Sequence, residues 1–281
     1  MGIHFKNVSH EYQSFSDKTE AIRDINIEIK EKGEFIAILG HTGAGKSTLV
    51  QHMNALLYPT SGEVEIFGQT LPPKKREKVN HLRQKVGLVF QFPEYQLFEN
   101  TIIDDIAFGP KNFKETKAVA YDNAKKAASM VGIDESLHQQ SPFRISGGQM
   151  RRVAVAGILA MDPNILVLDE PTRGLDPQGR DEIMDIFKNI NETEDKTMVL
   201  ITHDMDIVSK YAKRIIVLKD GRIVFDGCKE DLFIHPDFDS FSLDYPTPLK
   251  ILKHLEQTVG LKFVPQYTKE DLVKYIKEAK L

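Results

Sequence analysis

Three short stretches of this 281-residue chain carry the residue types that phosphate chemistry needs. The first is Gly40-His41-Thr42-Gly43-Ala44-Gly45-Lys46-Ser47. It follows the continuous apolar run Phe35–Leu39 and leads into a helical pattern, the strand–loop–helix setting of a phosphate-binding P-loop. Its glycines let backbone N–H groups turn inward around phosphate oxygens, and the helix start adds its positive dipole end. Lys46 is placed to reach the β- and γ-phosphates and Ser47 to hold Mg²⁺. The second stretch is Ile165-Leu166-Val167-Leu168-Asp169-Glu170, an apolar strand ending in two acids. Asp169 suits orientation of Mg²⁺ through water, and Glu170 suits polarisation of an attacking water. Taken alone, the two acids have a lesser reading as the start of a solvated loop, which the P-loop beside them disfavours. The third stretch is Ile145-Ser146-Gly147-Gly148-Gln149, a serine and two glycines at a helix start. It serves either as a second anion-binding nest or as a plain N-cap with Ser146 as the cap. Its place, 100 residues after Lys46 and 23 before Asp169, favours the nest.

The elements that must position these residues alternate in type. Ile25, Ile27 and Ile29 interleave with polar residues, as a half-buried strand requires. The runs 86–90, 165–168 and 198–201 are continuously apolar, like Phe35–Leu39, and suit strands buried on both faces. Helical patterns fall at 46–57, 148–161 and 178–190. This order predicts an α/β fold with a mostly parallel core sheet. Residues 214–218, Asp220-Gly221 and 222–225 carry the signal of a β-hairpin. The segment 93–149 breaks the rhythm and holds a helix at 116–131, which predicts an inserted helical subdomain. Pro72-Pro73 and the charged residues after them read as a surface loop across 71–80. Residues 1–240 are expected to form the main domain and 241–281 a small extension. In that extension Leu249, Leu252, Leu255 and Val259 make a helical stripe. Thr268, three before Asp271, caps a last helix that turns Leu272, Tyr275 and Ile276 inward.

Composition narrows the function classes. With 37 Lys+Arg against 41 Asp+Glu the net charge is −4, which argues against a nucleic-acid binder. A hydrophobic content of 41% suffices for a core, so disorder is not expected. One cysteine, Cys228, leaves no internal disulfide and no cysteine zinc cage, and is read as structural. No apolar stretch approaches the ~20 residues that span a bilayer, nor does the N-terminus read as a signal peptide.

At this point the chain resembles the ATP-binding-cassette (ABC) ATPases over about residues 3–235. The motif at 145–149 is similar to that family's LSGGQ signature, with Ile145 in place of leucine. Gln91, closing the run 86–90, is similar to the Q-loop glutamine, and His203, after the run 198–201, to the switch histidine. Gly174-Leu175-Asp176 resembles the D-loop, with Arg173 standing where a small residue is more usual. Tyr12, after the first strand, resembles the aromatic that stacks on adenine, although an aromatic there is often a core residue. The resemblance implies an ATPase with ATP and Mg²⁺. Gly40, His41, Thr42, Gly43, Ala44, Gly45, Lys46, Ser47 and Thr48 would bind ATP. Ser47, Gln91 and Asp169 would serve the metal, and Glu170, His203 and Gln91 catalysis. Ser146, Gly147, Gly148 and Gln149, with Asp176, would act on a facing subunit's nucleotide.

Further residues narrow the resemblance. Phe90-Gln91-Phe92-Pro93-Glu94-Tyr95-Gln96-Leu97-Phe98 and Asp105-Ile106-Ala107-Phe108-Gly109-Pro110-Lys111-Asn112 resemble the ATPases of energy-coupling factor (ECF) transporters, importers of vitamins and of nickel or cobalt. His41, Gln51-His52-Met53-Asn54 and Gly148-Gln149-Met150-Arg151-Arg152-Val153-Ala154 resemble the second of the two ATPase paralogues in the vitamin-type complexes. The implied partners are a paralogous ECF ATPase, a transmembrane coupling subunit and a substrate-capture membrane subunit. The implied place is the cytoplasmic face of a bacterial cell membrane, held there peripherally. A homodimeric ATPase of a metal-ion ECF importer, or of another ABC importer, is the other reading. The extension is open to two roles, a packing appendage or a contact between ATPases.

Overall fold

The computed structural model describes residues 2–13, 18–72, 78–113 and 115–279. Residues 73–77, the middle of the loop expected across 71–80, lie outside them. Strands β1 (Ile3–Gln13) and β2 (Lys18–Ile29) pair antiparallel, with Ile3 opposite Ile29 and Phe5 opposite Ile27. Strand β3 (Phe35–Leu39) is buried at every position and hands the chain through the P-loop to helix α1 (Lys46–Met53). Strands β4 (Ser61–Ile66) and β5 (Gln69–Leu71) complete an antiparallel sheet in the order β2-β1-β4-β5. A short helix α2 (Asn80–Lys85) leads into β6 (Val86–Val89). The inserted helices are α3 (Ile102–Asn112) and α4 (Lys117–Met130), and α5 (Gly147–Leu159) returns the chain to the sheet. Then come β7 (Ile165–Asp169), α6 (Pro177–Glu194), β8 (Thr197–Ile201), α7 (Met205–Tyr211) and the hairpin β9 (Arg214–Lys219) and β10 (Arg222–Cys228). Helices α8 (Lys229–Phe233), α9 (Thr247–Val259) and α10 (Lys269–Glu278) end the described chain.

The central sheet has the order β10-β9-β3-β8-β7-β6, parallel except for the edge strand β10. Burial on both faces explains its sequence. Ile165 and Val167 of β7 enter a cluster shared with the antiparallel sheet and α1, whereas Leu166 and Leu168 face α3, α5 and α6. A third cluster joins Leu39, Val208, Val217 and Phe233 to Leu249, Leu252, Leu261 and Leu272. The extension is thus packed on the outer part of the sheet by apolar residues of its helical stripes, Val259 excepted.

Three sequence expectations need correction. Helix α1 stops at Met53, not residue 57, because Ala55 takes a left-handed φ of 57° and the Leu56 and Leu57 amides bond back to the Gln51 carbonyl. Helix α3 is additional to the one helix expected within 93–149, at 116–131, and it contains Gly109 and Pro110. Both fall in its last turn, where Pro110 leaves most of the hydrogen-bond ladder intact, and Thr101 caps its start by accepting the Asp104 amide. In the extension the apolar stripe ends at Leu255, and Val259 is exposed.

Candidate nucleotide site

The strand order places the chemistry. The neighbouring strands β3, β8, β7 and β6 end at the P-loop, at His203, at Asp169-Glu170 and at Gln91 respectively. Four segments far apart in the chain therefore meet at the carboxyl ends of adjacent parallel strands, where open α/β sheets bind ligands. Lys46, Ser47, Thr48, Gln91, Asp169, Glu170 and Arg173 line one cleft there.

Two loop glycines are dictated by space as well as by φ. Gly40 has φ 142°, and a Cβ on it would stand 2.2 Å from the Leu218 carbonyl oxygen. Gly45 has φ 100°, and a Cβ there would stand 2.4 Å from the Ala21 carbonyl oxygen. Lys46 Nζ donates to the carbonyls of Gly40 at 2.6 Å and His41 at 2.9 Å. Burial lowers its pKa, and the charges of Glu170 and Asp169 oppose that shift. Asp169 is shifted the other way. Burial raises its pKa, the adjacent Glu170 adds to the rise, and Lys46 opposes it.

Glu170 sits in a left-handed backbone conformation with φ 50°, its amide bonded to the Ile201 carbonyl. Its Oε1 pairs with His203 Nδ1 at 2.9 Å. The carboxylate is largely buried, whereas the His203 ring is 79% exposed and free to meet a ligand in the cleft mouth. That mouth is also lined by His41, Arg173, Ser242, Leu243 and Asp244, so the first turn of the extension forms one wall of it. No sequence spacing announced that wall.

Tyr12 lies within β1, opposite Thr19, rather than after the strand. Its hydroxyl contacts Thr48 Oγ1 at 3.2 Å, and its ring is 45% exposed, so it is a platform beside the P-loop helix and not a core residue. Behind it stands His10, edge-on to Tyr12 at 4.7 Å and to the buried His52 at 4.8 Å.

The signature residues line a separate cleft. Ser146, Gly148 and Gln149 share it with Arg151, Gly174 and Asp176, and none of Lys46, Ser47, Asp169 or Glu170 lines it. The cap reading of Ser146 is met in full. Its Oγ accepts the Gln149 amide at 3.3 Å while Gln149 Oε1 accepts the Ser146 amide at 3.0 Å, a complete capping box. Yet a Cβ at Gly147 or Gly148 would meet nothing within 4 Å, so packing inside the chain does not require either glycine. Asp176 caps α6, accepting the Gly179 amide at 2.8 Å. Cys228 precedes α8, and its thiol donates to the Asp231 carboxylate at 3.1 Å.

Sequence reasoning missed the side chains that tie the two clefts. Buried Arg151 on α5 forks onto Glu94, Nε to Oε2 at 3.0 Å and Nη2 to Oε1 at 2.8 Å, and its Nη1 donates to the Arg173 carbonyl at 2.8 Å. With its carboxamide turned to satisfy both partners, Gln91 accepts from Arg173 Nε at 3.2 Å and from Nη1 more closely. The hard oxygen donors Ser47, Gln91 and Asp169, gathered in one cleft, fit Mg²⁺.

Such a cassette defines a class, and comparison bears this out. A family model described as ABC transporter matches residues 22–173. The chain belongs to the ABC transporter ATPase family, whose members hydrolyse ATP with Mg²⁺. It is 46% identical to the energy-coupling factor transporter ATP-binding protein EcfA2 of Bacillus licheniformis, over 99% of this chain and 97% of that one. Against EcfA2 of Bacillus subtilis the identity is 48%, over 89% of this chain and 92% of the relative. Among solved structures, cbiO1 from Clostridium perfringens, part of the ABC transporter complex cbiONQ, gives a TM-score of 0.74. That match has 33% identity and covers 92% of this chain and 95% of the other. The cassette MJ0796, a dimer in a post-hydrolysis state with ADP and Pi, gives 0.71 with 32% identity, over 80% of this chain and 98% of that one. Among the described residues no helix is long and apolar enough to cross a membrane.

Proposed function

We propose that this chain is the second of two paralogous ATPases in a vitamin-type ECF importer, hydrolysing ATP in a sandwich with its partner at the cytoplasmic face of the membrane. The observation that carries the reading is the gathering of Lys46, Ser47, Gln91, Asp169 and Glu170 in one cleft, apart from the signature residues. In it, the P-loop backbone and Lys46 cradle the phosphates, and Tyr12 stacks on the adenine. Ser47, Gln91 and Asp169 would hold Mg²⁺, which neutralises charge on the β- and γ-phosphate oxygens. Glu170 orients and polarises the water that attacks the γ-phosphorus, and the bond to the ADP oxygen breaks as the new P–O bond forms. His203, bonded to Glu170, fixes that carboxylate and faces the transferred phosphoryl group. Ser146 to Gln149 cover the partner's γ-phosphate, so ATP favours the closed pair by touching both halves only there. The unused room over Gly147 and Gly148 supports this assignment.

The exposed aromatics beside Gln91 support docking of a helix of a transmembrane coupling subunit. Tyr95 is 85% exposed, and Phe98 packs edge-on against Phe108 at 4.7 Å. A separate membrane subunit would capture the substrate. A second reading is a homodimeric ATPase of a metal-ion ECF importer or of another ABC importer; the 46% identity to EcfA2, against 33% to cbiO1, supports the first. Glu170→Gln should keep ATP affinity and trap the closed pair, with turnover falling at least about a hundredfold. Near-normal phosphate release would refute the role given to Glu170. Copurification of a different ATPase chain from detergent-solubilised membranes, rather than a second copy, decides between the two assemblies.

A further inference from the structure

Arg173 departs from the small residue usual at the start of the D-loop, and its surroundings give that departure a use. Its backbone is fixed from two sides: the amide donates to the Glu170 carbonyl at 3.1 Å, and the carbonyl accepts Arg151 Nη1 at 2.8 Å. Its guanidinium lies over the Phe92 ring at 5.9 Å, as does that of Arg151. Phe92 itself is held with a left-handed φ of 55°, which sets the turn that presents Gln91. From this anchored base the Arg173 fork binds the Gln91 carboxamide oxygen. Of the nitrogen and oxygen of that amide, only the oxygen, with its free lone pairs, can ligate Mg²⁺.

We propose that Arg173 is a positioning residue that latches Gln91: it occupies the oxygen that a metal would take, so metal entry competes with the Arg173–Gln91 pair. The inference rests on the reading of Gln91 as a metal ligand. Arg173 lines the P-loop cleft and also the cleft mouth with Lys46, Glu170 and His203. A guanidinium released from Gln91 therefore stays within a site built for phosphate charge, where a bidentate fork binds well. Phosphate arrival loosens the latch and metal arrival replaces it, which orders the assembly of the site. Because Arg173 shares its carbonyl contact with Arg151 on the signature helix, movement of that helix reaches the latch directly.

The test is the factor by which Mg²⁺ tightens binding of a fluorescent ATP analogue, taken as Kd in EDTA divided by Kd in excess Mg²⁺, on the full chain. Arg173→Ala should raise this factor by roughly tenfold, the size of one lost charge-assisted hydrogen bond. Arg173→Lys, a cation without the fork, should fall between the two. Gln91→Ala should lower the factor, and adding Arg173→Ala to it should change nothing further. An unchanged factor in Arg173→Ala, with Gln91→Ala still lowering it, overturns the latch alone. If Gln91→Ala leaves the factor at the wild-type value, the ligand role of Gln91 fails and the latch falls with it. The same rise from Arg173→Ala in both backgrounds also overturns the latch, since the effect then bypasses Gln91.

Discussion

Asp169 illustrates what the site costs at the scale of a residue. Burial and the neighbouring Glu170 raise its pKa, so the folded protein favours the protonated carboxyl more than the unfolded chain does. The sign follows from linkage: the ionised group opposes folding at neutral pH, and that opposition fades as pH falls through the raised value. Asp169→Asn should therefore raise Tm in nucleotide-free buffer by about 2–4 °C, what roughly 1 kcal/mol gives at this size. The same variant should lose Mg²⁺-dependent hydrolysis. A lowered Tm, read by differential scanning calorimetry, would mean that the carboxylate is stabilised by its neighbours instead.

At the scale of elements, the turn after β6 and helix α5 are locked by Glu94 and Arg151. Burial works to raise the Glu94 pKa, but the hydrogen bonds and charge of Arg151 outweigh it and hold Glu94 below its ordinary 4.5. A depressed carboxylate contributes stability above the unfolded value and loses it as pH falls through the folded one. The pair should thus weaken below about pH 4.5, and Glu94→Gln should flatten the dependence of Tm on pH in that range. Removing the buried partner is harsher: Arg151→Ala leaves Glu94 without its counter-charge and should cost about 3–5 kcal/mol in urea unfolding. The start of α5 offers the opposite case. Gly148 occupies a helical first turn with open space over its Cα. Gly148→Ala should leave Tm unchanged or raise it by a degree or two, since alanine gains up to about 1 kcal/mol of helix propensity. If the glycine serves a partner's nucleotide, ATP turnover should nonetheless collapse in the reconstituted pair. Retained turnover would return Ser146–Gln149 to a plain capping role.

For the whole molecule, the separation of the two clefts sets a requirement. The signature cleft is lined by none of the P-loop residues or strand-end acids, so if both sets act on a single ATP they must come from two chains. Turnover per chain should consequently depend on assembly, rising at least about tenfold from dilute protein to saturating partner. A rate per chain that stays constant on dilution to monomer would overturn the shared-site reading. The extension bears on the same machine from behind. Asp206 on α7 accepts the Thr247 amide at 2.6 Å and its hydroxyl at 2.7 Å, and Ser209 donates to the Tyr267 carbonyl at 2.8 Å. Helix α7 begins just after His203, so the extension braces the helix that follows this histidine while Ser242–Asp244 wall the cleft it lines.

Local chemistry was legible because it is encoded by spacing. Gly40 to Ser47 and Asp169-Glu170 advertise themselves through runs in which each residue's neighbours fix its backbone setting, and buried parallel strands announce themselves by unbroken apolar residues such as Phe35–Leu39. The capping geometry of Thr268 and Ser146 was readable for the same reason, since a cap reaches only three residues along the chain. Helix ends were less so. The pattern at 46–57 continues past Met53, and only packing of the loop against Gln51 turns the chain at Ala55. What the tertiary structure alone decided are pairs made across long stretches of chain: Arg151 with Glu94, 57 positions apart, Arg173 with Gln91, Tyr12 with Thr48, and the extension with the cleft mouth. The two arginine pairs join flexible polar side chains brought together by the neighbouring strands β7 and β6, Tyr12 meets Thr48 where the antiparallel sheet passes α1, and no periodicity in the sequence records either arrangement.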